Sequence, residues 1–378
     1  MFALYIILSI LILLLMVTIH EFGHYIAGRI LGFKINEFSI GFGPAILQRT
    51  NKRGEKISLR IFPLGGYCAF EGETDGEEPK KPKKEIDVFS EKEDKDEDKV
   101  EEKKPDEIQL TFNEQKPWKR IIVLLSGAMF NIISGFLFSI IFIAVAGNSL
   151  PVVGQVYETP NASIIQENDV IVAVNGEEIS ILNNLSALMQ DIKEDEDFVL
   201  TVLRKDVETD KSVKTDLNIK KVQYTYLDEN EKEQSVIGIG IATKNYVRQG
   251  YNVLESIGYA FPFTLKMAGT ILSAFGNLFR GIGLNQLSGP VSTVTEMAKL
   301  SQASLLNTLI LLPLIAVNLG IFNLFPIPAL DGSKIVFTVI EWIRKKPINR
   351  NIENIIHFVG FVLLLGSIIL IDLFRFIP

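Results

Sequence analysis

The stretch TIHEFGHYIAG, Thr18–Gly28, puts two histidines and a glutamate at the end of an apolar run that begins at Met1. A metal-seeking or charged group in lipid is costly unless something specific satisfies it, so such residues point to chemistry. His20 and His24 are four apart and share one face of a helix, about one turn from each other. That spacing lets two imidazole nitrogens meet one tetrahedral zinc ion. Glu21, beside them, has the chemistry to take a proton from an activated water and pass it to a leaving amine.

A catalytic zinc needs a third protein ligand and an open position. The chain has three histidines, and the remaining one, His357, is expected to be an interfacial residue at the start of an apolar segment. The single cysteine, Cys68, excludes an internal disulfide and a Cys-based zinc site, and is expected to be a small buried residue. The search therefore turns to a carboxylate stranded in apolar sequence. NLGIFNLFPIPALDGS, Asn318–Ser333, supplies one in Asp331. Pro326 and Pro328 prevent a regular helix there and free backbone groups near Asn323, which is tolerated at membrane depth where the chain lines a cavity. Taken alone, Asp331 reads as an Asp-Gly turn or a helix cap at the membrane edge rather than a ligand. A histidine pair in need of a ligand on the same side of the bilayer favours ligation.

These groups must be positioned by membrane helices. Segments of about 20 apolar residues span a bilayer, and four qualify: Met1 to about Leu31, about Ile121 to Ala146, about Leu305 to Phe325, and about Ile355 to Phe374. The first lacks the basic start and small-residue cleavage site of a signal peptide. Val253–Gly283 is apolar but interrupted by Pro262, Glu255, Lys266 and Arg280, so it is expected to be interfacial or re-entrant. Lys and Arg gather after span one, before span two and after span three, which places those flanks in the cytoplasm. Residues from about 148 to 302 and both termini are then outside. His20, His24 and Asp331 all fall near the cytoplasmic ends of their spans.

Residues 73–107 carry 16 acidic and 9 basic residues, which accounts for the whole net charge of −7. Such a segment cannot bury enough apolar surface to fold and is expected to be a disordered cytoplasmic tether. Gly41–Gly72 reads as an apolar hairpin around a turn at Thr50–Gly54, dipping toward the membrane. ENDVIVAVNGEEI, Glu167–Ile179, carries an Asn175–Gly176 hairpin turn and marks a small β-rich module. A helix is expected at Leu182–Ile192, with strands at Phe198–Arg204 and Val236–Ile241. No basic groove interleaved with aromatic residues points to nucleic acid.

With these features in place, the sequence resembles the bacterial site-2 protease family of intramembrane zinc metalloproteases (peptidase M50B). The resemblance runs over nearly the whole chain. The family's zinc motif matches His20, Glu21 and His24. Its N-x-x-P-x-P-x-x-D-G motif matches Asn323, Pro326, Pro328, Asp331 and Gly332. A G-x-x-x-N element matches Gly127 and Asn131, a membrane-associated β-hairpin resembles Gly41–Tyr67, and an LSGPV stretch recurs at Leu287–Val291. The module around ENDVIVAVNG resembles a PDZ domain, but the loop before Asp169 is shortened and no peptide-binding residues are assigned there. The acidic insert is longer than the family pattern requires.

The resemblance implies an α-helical polytopic membrane protein of about four transmembrane helices, with a membrane-associated β-hairpin and an extracytoplasmic PDZ-like α+β domain. The expected organisation is span one with HExxH at 1–31, the hairpin region at 32–72, the acidic loop at 73–107 and span two at 116–147. The PDZ-like domain follows at 150–245, an amphipathic segment at 250–300, span three at 303–335 and span four at 353–376. The expected activity is regulated intramembrane proteolysis in a bacterial plasma membrane, using one Zn2+. Expected substrates are single-span proteins such as pre-cleaved anti-sigma factors and remnant signal peptides. His20, His24 and Asp331 are the expected ligands and Glu21 the general base. Asn323, Pro326, Pro328, Gly127 and Asn131 are expected to bind substrate, and Ile57, Leu59 and Ile61 to pair with its unwound backbone by strand addition. A catalytically inactive scaffold with a PDZ-like partner-binding domain is the rival reading. A prenyl-protein endopeptidase would call for different carboxylate motifs and no such module.

Overall fold

A computed structural model describes residues 2–73, 110–206, 211–227, 233–283 and 287–376. From residue 74 onward, the expected acidic tether lies outside the described residues. The elements in chain order are α1 (Phe2–Leu31), β1 (Ile35–Thr50), β2 (Lys56–Phe70), α2 (Pro117–Ala146), β3 (Asn148–Val156), β4 (Val170–Val174), β5 (Glu177–Glu178), α3 (Leu185–Leu188), β6 (Asp197–Lys205), β7 (Ser212–Lys220), β8 (Val222–Leu227), β9 (Glu233–Gly238), β10 (Ile241–Gln249), α4 (Val253–Phe279), α5 (Pro290–Ala303), α6 (Leu305–Asn323), α7 (Asp331–Arg344) and α8 (Arg350–Phe376). Two compact units result. One is Met1–Ser134 with Ile271–Ser304 and Leu314–Pro378; the other is Gly135–Thr270 with Leu305–Pro313.

Among the described residues, four helices are long and apolar enough to cross a membrane: Phe2–Leu31, Pro117–Ala146, Leu305–Asn323 and Arg350–Leu373. They match the expected spans to within a few residues. Helix α4 differs from expectation in one respect, since it runs unbroken through Pro262. Proline removes one backbone hydrogen bond and kinks a helix, and here the flanking turns carry the helix across it.

In the first unit, the hairpin turns tightly at Asn51, whose Oδ1 accepts the Arg53 and Glu55 backbone N–H groups. Its two strands then fold back on themselves. Ile35–Ile40 pairs with Gly66–Phe70, while Ala45–Thr50 pairs with Lys56–Arg60. Where the halves meet, Phe38, Ser39 and Ile40 also pair with Ile57, Ser58 and Leu59. Gly41 and Gly43, at φ +86° and +85°, make the bend possible, because side-chain-bearing residues rarely adopt that conformation. This corrects the simple two-arm hairpin. Ile57 and Leu59 lie on an inner segment with a ladder partner on each side, so they cannot receive an added strand. Gly66–Phe70 pairs on one side only among the described strands and forms an outer edge. Phe42, Ile46, Leu47, Ile61 and Phe62 leave their apolar side chains exposed.

An aromatic cluster of Tyr25, Phe33, Phe38, Phe70 and Phe112 packs the sheet against α1 and the start of α2. Cys68 lies buried in this cluster, and burial pushes its thiol well above the ordinary cysteine range. Helix α7 is held by buried ion pairs: Glu341 meets Arg120 of α2 at 2.6 Å and Arg350 of α8 at 2.9 Å. These contacts fix the helix whose first residue is Asp331.

The second unit contains a sheet in the order β10-β3-β4-β6-β7, with β5 on β4, and a separate β8–β9 pair. Its core includes Val153, Ile171, Leu200, Val202 and Ile219. The Asn175–Gly176 turn is present, at φ 49° and 79°. The helix expected at 182–192 shortens to α3. The strand expected at 236–241 splits at Gly240, whose φ of +76° breaks the extended run between β9 and β10. Asp169 is 1% exposed and takes both Arg204 Nε (2.9 Å) and a terminal nitrogen (2.7 Å), plus the Gln166 N–H (2.9 Å). Arg204→Ala leaves that carboxylate buried without its counter-charge, at a cost of about 3 kcal/mol. Hydrogen exchange on the full chain should then show β4 and β6 losing protection roughly a hundredfold or more.

Candidate metal and catalytic centre

Helix α1 carries His20 and His24 on one face, both 6% exposed. Their rings meet edge to face at 4.7 Å between centroids, and the two Nε2 atoms lie 3.1 Å apart. The irregular stretch after α6 delivers Asp331 to the same point. Its Oδ2 is 2.9 Å from His20 Nε2 and 3.1 Å from His24 Nε2. Gly332 permits this approach: a Cβ there would collide with the carbonyl oxygens of Leu324 and Phe325. The three residues drawn together from the sequence therefore form one cluster, 311 positions apart at its widest.

The donor chemistry fits a cation. His24 Nδ1 donates to the Val123 carbonyl at 2.8 Å, so its Nε2 bears a lone pair. His20 turns Nδ1 toward Asn131, a fully buried residue, at 3.4 Å to Nδ2. Asn131 Oδ1 has no hydrogen-bond partner among the described residues. Turning the carboxamide lets Oδ1 accept from His20 Nδ1–H and frees the second Nε2 lone pair. Two imidazole lone pairs and a carboxylate about 3 Å apart repel one another unless a cation lies among them. Ligands bound at roughly 2.0–2.1 Å in tetrahedral zinc sites sit about 3.3 Å from each other, close to these separations.

Gly127 lies one turn before Asn131 on α2. A Cβ there would meet His24 Nε2, with His24 Cε1 at 2.7 Å and His20 Cε1 at 2.8 Å. The pair expected to bind substrate packs against the histidines: Gly127 gives the rings room and Asn131 faces one of them. The sequence carried the G-x-x-x-N signal but not its role.

Glu21 is not among the three clustered donors. Its carboxylate faces the Cys68 backbone N–H, and a Cβ on Gly66 would lie 3.4 Å from Glu21 Cγ. The outer edge Gly66–Phe70 therefore runs beside the carboxylate. Asn323 is the last residue of α6 and half-buried, and its side chain makes no hydrogen bond among the described residues. Pro326 is exposed, and Pro328 packs against Gly360 of α8.

Comparison with known proteins extends this picture. The model of peptidase family M50 matches residues 8–367. The "Probable protease eep" of Enterococcus faecalis is 29% identical, over 96% of this chain and 97% of its own. The "Zinc metalloprotease RasP" of Bacillus licheniformis and the "Regulator of sigma-W protease RasP" of Bacillus subtilis are each 27% identical, over 93% of both chains.

Proposed function

The chain belongs to peptidase family M50 and is a site-2-type zinc metalloprotease, and from that premise we propose that it cuts the membrane-spanning segments of single-span proteins inside the bilayer. The observation that carries this reading is the convergence of His20, His24 and Asp331 beside Glu21, the histidines within one helix apolar enough to span and the aspartate shortly after another. When bound, zinc supplies Lewis-acid polarisation of the scissile carbonyl and makes water more acidic. Glu21 takes a proton from the attacking water and returns it to the leaving amine. His24 and His20 keep their ligating nitrogens unprotonated through Val123 and Asn131. Asn323 offers its free carboxamide to the loosened substrate backbone. The substrate strand pairs with the outer edge Gly66–Phe70, which runs beside Glu21.

The charge asymmetry of the flanks supports a multi-pass protein of the bacterial plasma membrane. In this arrangement the catalytic groups lie near the cytoplasmic side, with both termini and the PDZ-like module outside. Substrates of the anti-sigma-factor class are consistent with the printed name of the Bacillus subtilis relative, and remnant signal peptides share the needed single-span form. The intact ligand set and Glu21 argue against a non-catalytic scaffold.

Purified full-length protein in detergent is expected to cleave a single-span model peptide within its apolar segment. A zinc chelator should abolish cleavage by about a hundredfold or more, and added Zn2+ should restore it. A zinc-loaded protein that leaves a panel of such peptides intact would favour the scaffold.

A further inference from the structure

We propose that His357 is a positioning residue for proteolysis, holding the loop that carries Asp331 through a hydrogen bond to the Ala329 backbone. This inference rests on the reading of Asp331 as a zinc ligand. The loop Leu324–Leu330 has no regular structure, and Ala329 within it sits at φ +80°. That conformation is strained for a residue with a side chain and persists only where its surroundings enforce it. The Pro328–Ala329 turn is closed locally by the Leu330 N–H, which donates to the Ile327 carbonyl at 3.1 Å, and α8 adds a contact from outside the turn. The Ala329 N–H donates to His357 Nδ1 at 3.1 Å, and Gly360, one turn further along α8, receives Pro328. Ser333 Oγ, which donates to the Leu330 carbonyl at 2.7 Å, lies 3.5 Å from the same His357 nitrogen.

Packing alone does not hold the loop. A cavity of about 310 Å³ has Ala329, Lys334, His357 and Phe358 in its wall, so this side of the loop borders open space. The hydrogen bond from Ala329 ties the turn to α8 beside this cavity, two residues before Asp331. Because Nδ1 accepts from Ala329, the ring proton is on Nε2.

The test compares full-length wild type, His357→Asn and His357→Gln. Asparagine places an acceptor oxygen where Nδ1 stands; glutamine places it where Nε2 stands. The measurements are kcat and KM on a single-span peptide, zinc affinity by chelator competition, and melting temperature. His357→Gln is expected to lose kcat and zinc affinity by about ten- to hundredfold, the range for groups that orient metal ligands, with KM and melting temperature nearly unchanged. His357→Asn is expected to stay within about threefold of wild type, below that range. Equal behaviour of the two variants, in either direction, would overturn the proposal. Should wild type cleave no peptide, the protease reading fails by itself, and the zinc-affinity comparison still decides the role of His357.

Discussion

Gly127→Ala is expected to leave the protein folded and strip it of zinc and activity. The new methyl group would stand on Nε2 of His24 and 2.8 Å from His20 Cε1. Both rings must swing away. They cannot keep their partners when they do, because His24 Nδ1 is tied to the Val123 carbonyl and His20 Nδ1 to Asn131. The alternative, retreat of α2, is blocked on its other side. Gly320 of α6 already packs against the Ala128 carbonyl at 2.9 Å and Ile132 at 2.8 Å, measured from the Cβ it lacks. A ring displacement on the order of 1 Å is worth roughly a hundredfold in rate, and a comparable loss of zinc affinity is expected. Alanine is the better helix former by about 1 kcal/mol, so loss of fold does not explain the result. Gly276→Ala on α4, where the added Cβ meets nothing within 4 Å, serves as the control and should behave as wild type. Zinc content and peptide cleavage in the two variants check this directly. A Gly127→Ala protein with full zinc would mean the imidazoles have room that the packing denies.

The parts of this site that could be read from sequence are those set by local spacing or gross hydropathy. His20 and His24 needed only the helical period, the four spans only runs of apolar residues. Asp331 was found by asking which carboxylate was stranded in apolar sequence. The parts that could not be read depend on which distant segments meet. The bend at Gly41 and Gly43 turns two strands into four paired segments, and that buries the backbone of Ile57 and Leu59 between neighbours. An alternating apolar pattern is the same for an inner and an outer strand, so the outer edge at Gly66–Phe70 was invisible. Gly127 and Asn131 gave a spacing without a partner; only the approach of α2 to α1 shows that they face imidazole rings. His357 read as one polar residue at the mouth of a span. Its contact with Ala329 joins positions 28 apart through an irregular loop, which no periodicity reports.

Glu21→Gln separates proton transfer from metal binding, and it is expected to abolish cleavage while leaving zinc in place. The amide has the shape of the carboxylate and still accepts the Cys68 backbone N–H, so the strand beside it is not disturbed. It cannot take a proton from water. General-base catalysis supplies about 10²–10⁴-fold in rate, and at least that much of kcat should vanish. Zinc stoichiometry should match wild type, because Glu21 is not one of the three residues whose donor atoms cluster. KM should hold, since the Gly66–Phe70 edge and Asn323, proposed to bind substrate, are untouched. His20→Ala provides the contrast: it removes a ligand and is expected to lose zinc and cleavage together. The pair of variants tells the two roles apart, because a role for Glu21 as a ligand would make both behave alike. Residual cleavage by Glu21→Gln within tenfold of wild type would assign the proton transfer to another group, and Asp331 would be the nearest carboxylate to examine.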